Sequence, residues 1–132
     1  MSKIKIDEAD DLTVRDVLHA KFSTLDATAT IADVRAYFAA SNSRRLAFVA
    51  DEGRYVGSLT PAHLSADEDP DRPAAQVADR GPTVAPEAPA TTGRDLALLT
   101  ESRRVPVVDE DGRLLGVVAV TGDLTSFCGT AS

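Results

Sequence analysis

An internal repeat constrains the fold of this chain more than any other feature of its sequence. The stretch SRRLAFVADEGRYVG begins at Ser43, and SRRVPVVDEDGRLLG begins at Ser102, 59 positions later. The match extends without a gap from Thr24 to Gly57 in the first copy. A repeated unit this small buries little apolar surface alone, so we expect the two copies to share a core. The identical pairs are Thr24/Thr83, Ala29/Ala88, Arg35/Arg94, Ser43/Ser102, Arg44/Arg103, Arg45/Arg104, Val49/Val108, Gly53/Gly112, Arg54/Arg113 and Gly57/Gly116.

Helix starts can be located in the first copy from its polar residues. Thr13 and Asp16 have the spacing of a capping box, which predicts a helix start. Thr30 and Asp33 have the same spacing, and the apolar residues that follow predict a helix to about Ala40. The segment KFSTL, between these two helix starts, predicts a short strand.

Strands and turns complete a β-α-β-β-α order in each copy. RLAFVA, the turn DEG and RYVGSL predict a buried strand that returns as a hairpin, and TPAHL predicts a further helix. The second copy predicts a strand at Thr83–Val84, a helix from about Thr92 to Glu101 and the hairpin RVPVVD-EDG-RLLGVVAV. A last helix is predicted from Thr121 through Leu124 and Phe127.

The boundaries follow from the repeat and from the segment SADEDPDRPA, whose acidic residues and prolines predict a linker. We expect an N-terminal tail at 1–11, the first repeat at 12–64, the linker at 65–74, the second repeat at 75–128 and a C-terminal tail at 129–132.

Composition narrows the function. A net charge of −7 argues against a nucleic-acid partner or an anionic membrane surface, but it allows a small anionic ligand held by a few arginines. One cysteine and two histidines predict neither a disulfide nor a metal site.

No nucleophile–base pair is visible, so we predict no catalytic residues and no enzyme. No apolar run approaches the roughly 18 residues of a membrane span, which predicts a cytoplasmic protein. The scarcity of lysine beside arginine suggests a GC-rich bacterial genome.

The segment SRRVPVVDEDGRLLGVVAVTGDL resembles a CBS domain, the repeat named after cystathionine β-synthase. The first copy, SRRLAFVADEGRYVGSLTPAHL, resembles it more loosely, and the likeness spans about residues 12 to 128. The resemblance implies an α+β fold in which two β-α-β-β-α repeats pack as a pseudo-twofold pair. Such a stand-alone pair is called a Bateman module.

A regulatory role is what this family implies. The expected ligand is an adenosine-containing molecule, namely AMP, ADP, ATP or S-adenosylmethionine, bound in the cleft between the repeats, and no further cofactor is required. We also expect a homodimer that passes the ligand state to a protein partner, which the sequence does not identify. The alternative is a CBS pair without a ligand that acts as a scaffold for dimerisation or protein interaction.

The resemblance also assigns roles to residues. The short first strand lines the adenine pocket, the arginines before the buried strand face the cleft, and the final Thr/Ser-x-x-Asp contacts phosphate and ribose. Arg can grip phosphate with its planar fork, and a carboxylate can accept from both hydroxyls of a diol. The ligand-binding residues implied are Thr24, Leu25, Arg44, Arg45, Thr60, His63, Thr83, Val84, Arg103, Arg104, Thr121 and Asp123.

Both copies depart from the family pattern at the ribose position. The first copy has His63 where the pattern has Asp. In the second copy Ala119 and Gly122 stand at the hydroxyl and carboxylate positions, and Asp123 follows one residue later.

The same residues also fit purely structural roles. The threonines can be helix caps, the short strands can serve packing alone, and arginine stems can cover apolar surface at an exposed turn.

Overall fold

The residues described by the structure, a computed structural model of the 132-residue chain, divide into two compact units. They are residues 4–19, 23–41, 46–64, 69–100, 102–121 and 124–127. Unit 1 combines residues 1–22 with 82–132, and unit 2 consists of Ser23–Gly81. The units therefore do not coincide with the two sequence repeats, because residues before Ser23 belong with the second repeat.

Helices and strands follow the order predicted for most of the chain, which confirms the α+β fold class. Short 3₁₀ turns lie at Ile6–Glu8, Pro61–His63 and Ala74–Gln76. The helices and strands are α1 (Val14–Val17), β1 (Thr24–Asp26), α2 (Ile31–Ala39), β2 (Ala47–Asp51), β3 (Arg54–Leu59), α3 (Ala90–Leu98), β4 (Arg104–Val108) and β5 (Leu114–Ala119).

Unit 2 contains a three-stranded sheet in the order β1-β2-β3. Strand β2 pairs in parallel with β1 and antiparallel with β3. The first four residues of β2 are all buried, as expected for a central strand covered on both faces. Ile31 and Val34 of α2 are fully buried with Val49 and Leu59, so the helix closes the core over this sheet.

Unit 1 repeats this arrangement with β4 and β5 as its hairpin. Val84 adds an isolated parallel bridge to Val107, in the place that β1 occupies in unit 2. Gly93, a weak helix former, lies inside α3 because a Cβ there would be 3.1 Å from a Val14 methyl and 3.2 Å from a Val118 methyl. Helix α3 therefore packs closely on both α1 and β5.

The segment that leads into each repeat packs with the body of the other repeat. In unit 1 the Val14 amide donates to the Ala88 carbonyl at 2.8 Å. In unit 2 the Ala74 amide donates to the Ala29 carbonyl at the same distance. Val14 and Ala74 are both fully buried. The leading segments are therefore exchanged between the repeats, by equivalent hydrogen bonds.

In each unit the leading segment lies close to the backbone of the second hairpin strand, which explains the glycine repeated there, Gly57 and Gly116. A Cβ on Gly57 would lie 3.0 Å from the Ala78 Cβ. A Cβ on Gly116 would lie 2.8 Å from Leu18 Cδ1 and 2.9 Å from the His19 carbonyl oxygen. No side chain fits without displacing the leading segment, so the sequence repeats glycine at this place.

Both predicted capping boxes of the first copy are confirmed. The Thr13 amide donates to the Asp16 carboxylate at 2.9 Å, and the Thr30 amide donates to the Asp33 carboxylate at 2.9 Å. The predicted linker also helps to cap α2, since the Ile31 amide donates to the Arg72 carbonyl at 2.9 Å. Part of the linker is therefore built into unit 2.

The last predicted helix is wrong over the residues that the structure describes. The Thr121 amide donates to the Ser126 carbonyl at 2.8 Å, and Val120 and Phe127 form an antiparallel bridge. The Phe127 amide also donates to the Ile4 carbonyl at 2.8 Å. Residues near the N-terminus thus pair with the end of the chain, and this non-local pairing prevails over the local helix signal.

Two smaller differences concern helix bounds. Helix α3 runs from Ala90 to Leu98, whereas the sequence predicted Thr92 to Glu101, because Pro89 rather than Thr92 is its N-cap. The TPAHL segment forms only the 3₁₀ turn Pro61–His63.

Candidate functional site

Most of the predicted ligand residues of unit 2 lie at one end of its sheet. Strands β1 and β2 begin there, with Thr24 paired to Phe48, and β3 ends there, with Leu59 paired to Ala47. Thr60 directly follows β3, and the turn to His63 comes next. We call this the polar end of unit 2. Thr24 is exposed, whereas Leu25 packs against the core of the unit.

Unit 1 places its corresponding residues in the same way. Arg104 begins β4 opposite Ala119 near the end of β5, and Thr121 follows that strand. We call this the polar end of unit 1. Thr83 is half-buried, and the Val84 side chain is buried in the core. The amide and the carbonyl of Val84 are both bonded to β4, so neither backbone group is available to a ligand.

Arg44, Arg45 and Asp123 lie outside the described residues. Their proposed roles rest on the sequence alone.

Arg103 has an unusual backbone conformation, and no described residue pairs with its side chain. Its φ is 54°, in the left-handed region that costs a residue with a Cβ about 1–2 kcal/mol. Its carbonyl accepts from the Val120 amide at 3.0 Å, which fixes it beside the end of β5. The residue is half-buried, and within the described part of the chain its guanidinium has no hydrogen-bond or ion-pair partner. Such a strained residue with unused donors is a good candidate for ligand contact.

Arg104 is positioned by the chain around it. Its guanidinium donates to the Ser102 carbonyl at 3.1 Å, and its amide donates to the Thr100 hydroxyl at 3.1 Å. Sequence reasoning missed Thr100, whose hydroxyl also donates to the Ala97 carbonyl at 2.8 Å. No local pattern distinguishes it from an ordinary residue at a helix end.

Thr121 is held by the end of the chain. Its hydroxyl accepts from the Ser126 amide at 3.2 Å, in addition to the backbone bond between the same two residues. It therefore does not cap a helix. Ser126 was also missed, because only the pairing with the N-terminal residues brings it here.

Thr60 and His63 form a closed turn. The Thr60 amide donates to His63 Nδ1 at 2.8 Å, and the Thr60 hydroxyl lies 3.0 Å from the same nitrogen. The histidine thus does what Asp16 and Asp33 do at α1 and α2. Thr60 is therefore the N-cap of this turn, which is the structural role that the sequence allowed beside ligand binding.

The end of unit 1 opposite its polar end carries negative charge, which is unsuited to binding an anion. A pocket of about 360 Å³ is lined by Glu87 and by the hairpin-turn acids Asp109, Glu110 and Asp111. Arg15 also lines it and forms an ion pair with Glu87 at 3.5 Å. Because β4 runs from Arg104 towards these acids, the arginines lie at the opposite end of the strand.

The two groups of unit 2 whose pKa values are shifted, Tyr55 and Asp26, lie away from its polar end. Burial raises the pKa of Tyr55, whose hydroxyl donates to the Arg80 carbonyl at 3.2 Å. Hydrogen bonds from the Thr28 hydroxyl and amide lower the pKa of Asp26. Tyr55 pairs with Ala50 near the β2–β3 turn, and Asp26 ends β1. Neither group indicates acid–base chemistry at the polar end.

Neither a metal site nor a membrane-spanning helix is found among the described residues. Among the described residues, no group of histidine, cysteine and acidic side chains is arranged to hold a metal ion. In the same ranges, no helix has the length and apolar character needed to cross a membrane.

Comparisons with known structures identify the fold. The CBS domains of a transcriptional regulator from Streptococcus pneumoniae are 27% identical, with a TM-score of 0.67, over 83% of this chain and 94% of that chain. A CBS domain pair/ACT domain protein from Thermotoga maritima is 24% identical, with a TM-score of 0.69, over 82% and 89%. CBSX2, a CBS-pair protein from Arabidopsis thaliana solved in complex with AMP, is 20% identical, with a TM-score of 0.68, over 85% and 92%.

A comparison of the sequence with family models agrees with these structures. A search of curated protein sequences gave no significant match. The CBS domain model, however, matches two stretches of the chain, residues 12–66 and 74–121. The chain therefore belongs to the CBS domain family, as a tandem pair of CBS repeats.

Proposed function

We propose that this protein is a regulatory module without catalytic activity that binds an adenosine-containing nucleotide at the polar ends of its two units. AMP, ADP and ATP are the first candidates, with S-adenosylmethionine as a further one. The protein acts as a homodimer and passes its ligand state to a protein partner. Arg103 is half-buried and its guanidinium has no partner among the described residues; this observation carries the proposal, because a planar guanidinium suits phosphate.

Two further observations support it. The sequence brings an arginine and a threonine to the same strand ends in unit 1, in an otherwise acidic chain. CBSX2, which shares the fold, has been solved in complex with AMP. The acidic pocket of Glu87, Asp109, Glu110 and Asp111 lies at the other end of the β4–β5 hairpin, away from Arg103.

Thermal melting with a ligand panel tests the proposal. A ligand at 100 times its Kd should add roughly 2.7 kcal/mol to the free energy of unfolding, which raises the melting temperature by several degrees. AMP, ADP, ATP and S-adenosylmethionine should be compared with adenosine and with pyrophosphate at equal concentration. A panel that leaves the melting temperature unmoved at millimolar levels would contradict nucleotide binding.

A scaffold without a ligand remains the second candidate. The closed Thr60–His63 turn favours it, since the Thr60 amide and hydroxyl and His63 Nδ1 are already paired with one another. Leu98 and Leu99 also leave apolar surface at the end of α3, with exposures of 40% and 84%. If this surface supports a dimer, Leu99→Glu should shift sedimentation from dimer to monomer. An unchanged sedimentation profile would remove this surface from the interface.

A further inference from the structure

The His63 ring is fixed in one tautomer by its own turn. The Thr60 amide lies 2.8 Å from Nδ1, and a backbone amide can only donate. Nδ1 must therefore accept. A neutral imidazole has one accepting and one donating nitrogen, so the hydrogen is on Nε2.

This Nε2–H group has no acceptor within the ranges that the structure describes. The residue is half-buried at the polar end of unit 2, in the turn that directly follows β3. The turn therefore presents a hydrogen-bond donor whose direction is fixed by the bond on the other side of the ring.

We propose that His63 determines ligand specificity by selecting a phosphate oxygen at this position. The inference rests on the proposed function and names the ligand group that the unit 2 site takes. A fixed N–H donor can bind a phosphate oxygen or the oxygen of a ribose hydroxyl, whereas a carboxylate at the same place can only accept from ribose hydroxyls. An anionic acceptor forms a hydrogen bond about twice as strong as a neutral one, which favours phosphate over a hydroxyl or a carbonyl.

Two substitutions separate the donor from the cap. His63→Asn retains a side-chain oxygen where Nδ1 accepts from Thr60, but it has no group at the place of Nε2. His63→Asp retains the cap in the same way, as Asp16 and Asp33 do in the other two boxes, and adds a carboxylate. Both variants should fold with melting temperatures close to that of the wild type, because the Thr60 amide stays paired.

Titrations of the full chain with ATP and with adenosine test the proposal. They are followed at the amide resonances of residues 60–64, so that binding in unit 1 is not counted. His63→Asn should lose about tenfold in ATP affinity and leave adenosine binding unchanged. His63→Asp should lose more for ATP and gain for adenosine. If His63→Asn binds ATP as tightly as the wild type, the proposal is overturned.

Imidazole nitrogen NMR of the wild type provides a test that needs no variant. The free protein should show the Nε2–H tautomer, and the Nδ1–H tautomer would overturn the proposal whatever the ligand. If the wild type binds neither ATP nor adenosine, the proposed nucleotide function fails, and pyrophosphate then decides the question. A shift of the Nε2 resonance with pyrophosphate would support the phosphate donor, and its absence would exclude it.

Discussion

Arg103 combines backbone strain with a charge that no described residue pairs. A φ of 54° costs a residue with a Cβ about 1–2 kcal/mol, and glycine avoids this cost. We predict that Arg103→Gly leaves the melting temperature of the free protein unchanged or higher, while the shift produced by nucleotide is lost. Both quantities come from one thermal melting series.

Arg113→Ala is the matched control for this prediction. Arg113 is exposed and follows the β4–β5 turn, at the end of the hairpin away from Arg103. Its substitution should preserve the nucleotide shift. A variant Arg103→Gly that is less stable and keeps its nucleotide shift would show that the residue is structural.

At the scale of elements, the hairpin between β2 and β3 contains a residue poorly suited to its conformation. Asp51 pairs with Arg54 across a two-residue loop in which Glu52 has a φ of 51° and Gly53 a φ of 85°. Asn-Gly suits such a loop better than Glu-Gly, because asparagine tolerates the left-handed region. Glu52→Asn should raise the free energy of unfolding by roughly 1 kcal/mol in urea denaturation.

The second hairpin provides the comparison. Asp111 also precedes a glycine with a φ of 85°, but its own φ is not positive. Asp111→Asn should therefore leave the free energy of unfolding nearly unchanged. Equal effects of the two substitutions would mean that asparagine acts through something other than the left-handed backbone.

Local patterns predicted some elements and not others, for physical reasons. The capping boxes at Thr13 and Thr30 involve residues three apart, so the sequence alone reveals them. The segment after Thr121 has a similar start, but its partners are Ser126 and Ile4. Those contacts join the two ends of the chain, and no local pattern contains them.

At the scale of the whole molecule, the exchange of leading segments determines which core a residue stabilises. Val17 precedes the first repeat's strands but is fully buried in the core of unit 1. Val17→Ala should destabilise unit 1 by roughly 1–3 kcal/mol. Hydrogen exchange should show reduced protection in β4 and β5, while β2 and β3 remain protected.

Ala74 provides the reciprocal test. It is fully buried in unit 2, although it leads into the second repeat. Ala74→Gly should reduce protection in β2 and β3 first. If Val17→Ala instead reduced protection in β2 and β3 and left β4 and β5 protected, the exchange of leading segments between the repeats would be contradicted.

The sequence suggested where a candidate site lies, but it could not predict which hydrogen bonds its residues already make. The repeat and the resemblance together indicated the strand ends that carry Thr60, Arg103 and Thr121. The bond from Thr60 to His63 and the left-handed backbone of Arg103 depend on three-dimensional geometry. These two features determine which hydrogen-bonding groups at the polar ends already have a partner among the described residues.

Amide NMR of the full chain during titration with AMP tests nucleotide binding at the polar ends most directly. The resonances expected to move belong to Thr24, Thr60, Thr83, Arg103 and Thr121, because these residues lie at or beside those ends. Shifts confined to the acidic pocket of Glu87 and residues 109–111 would contradict the account, as would the absence of shifts at millimolar AMP.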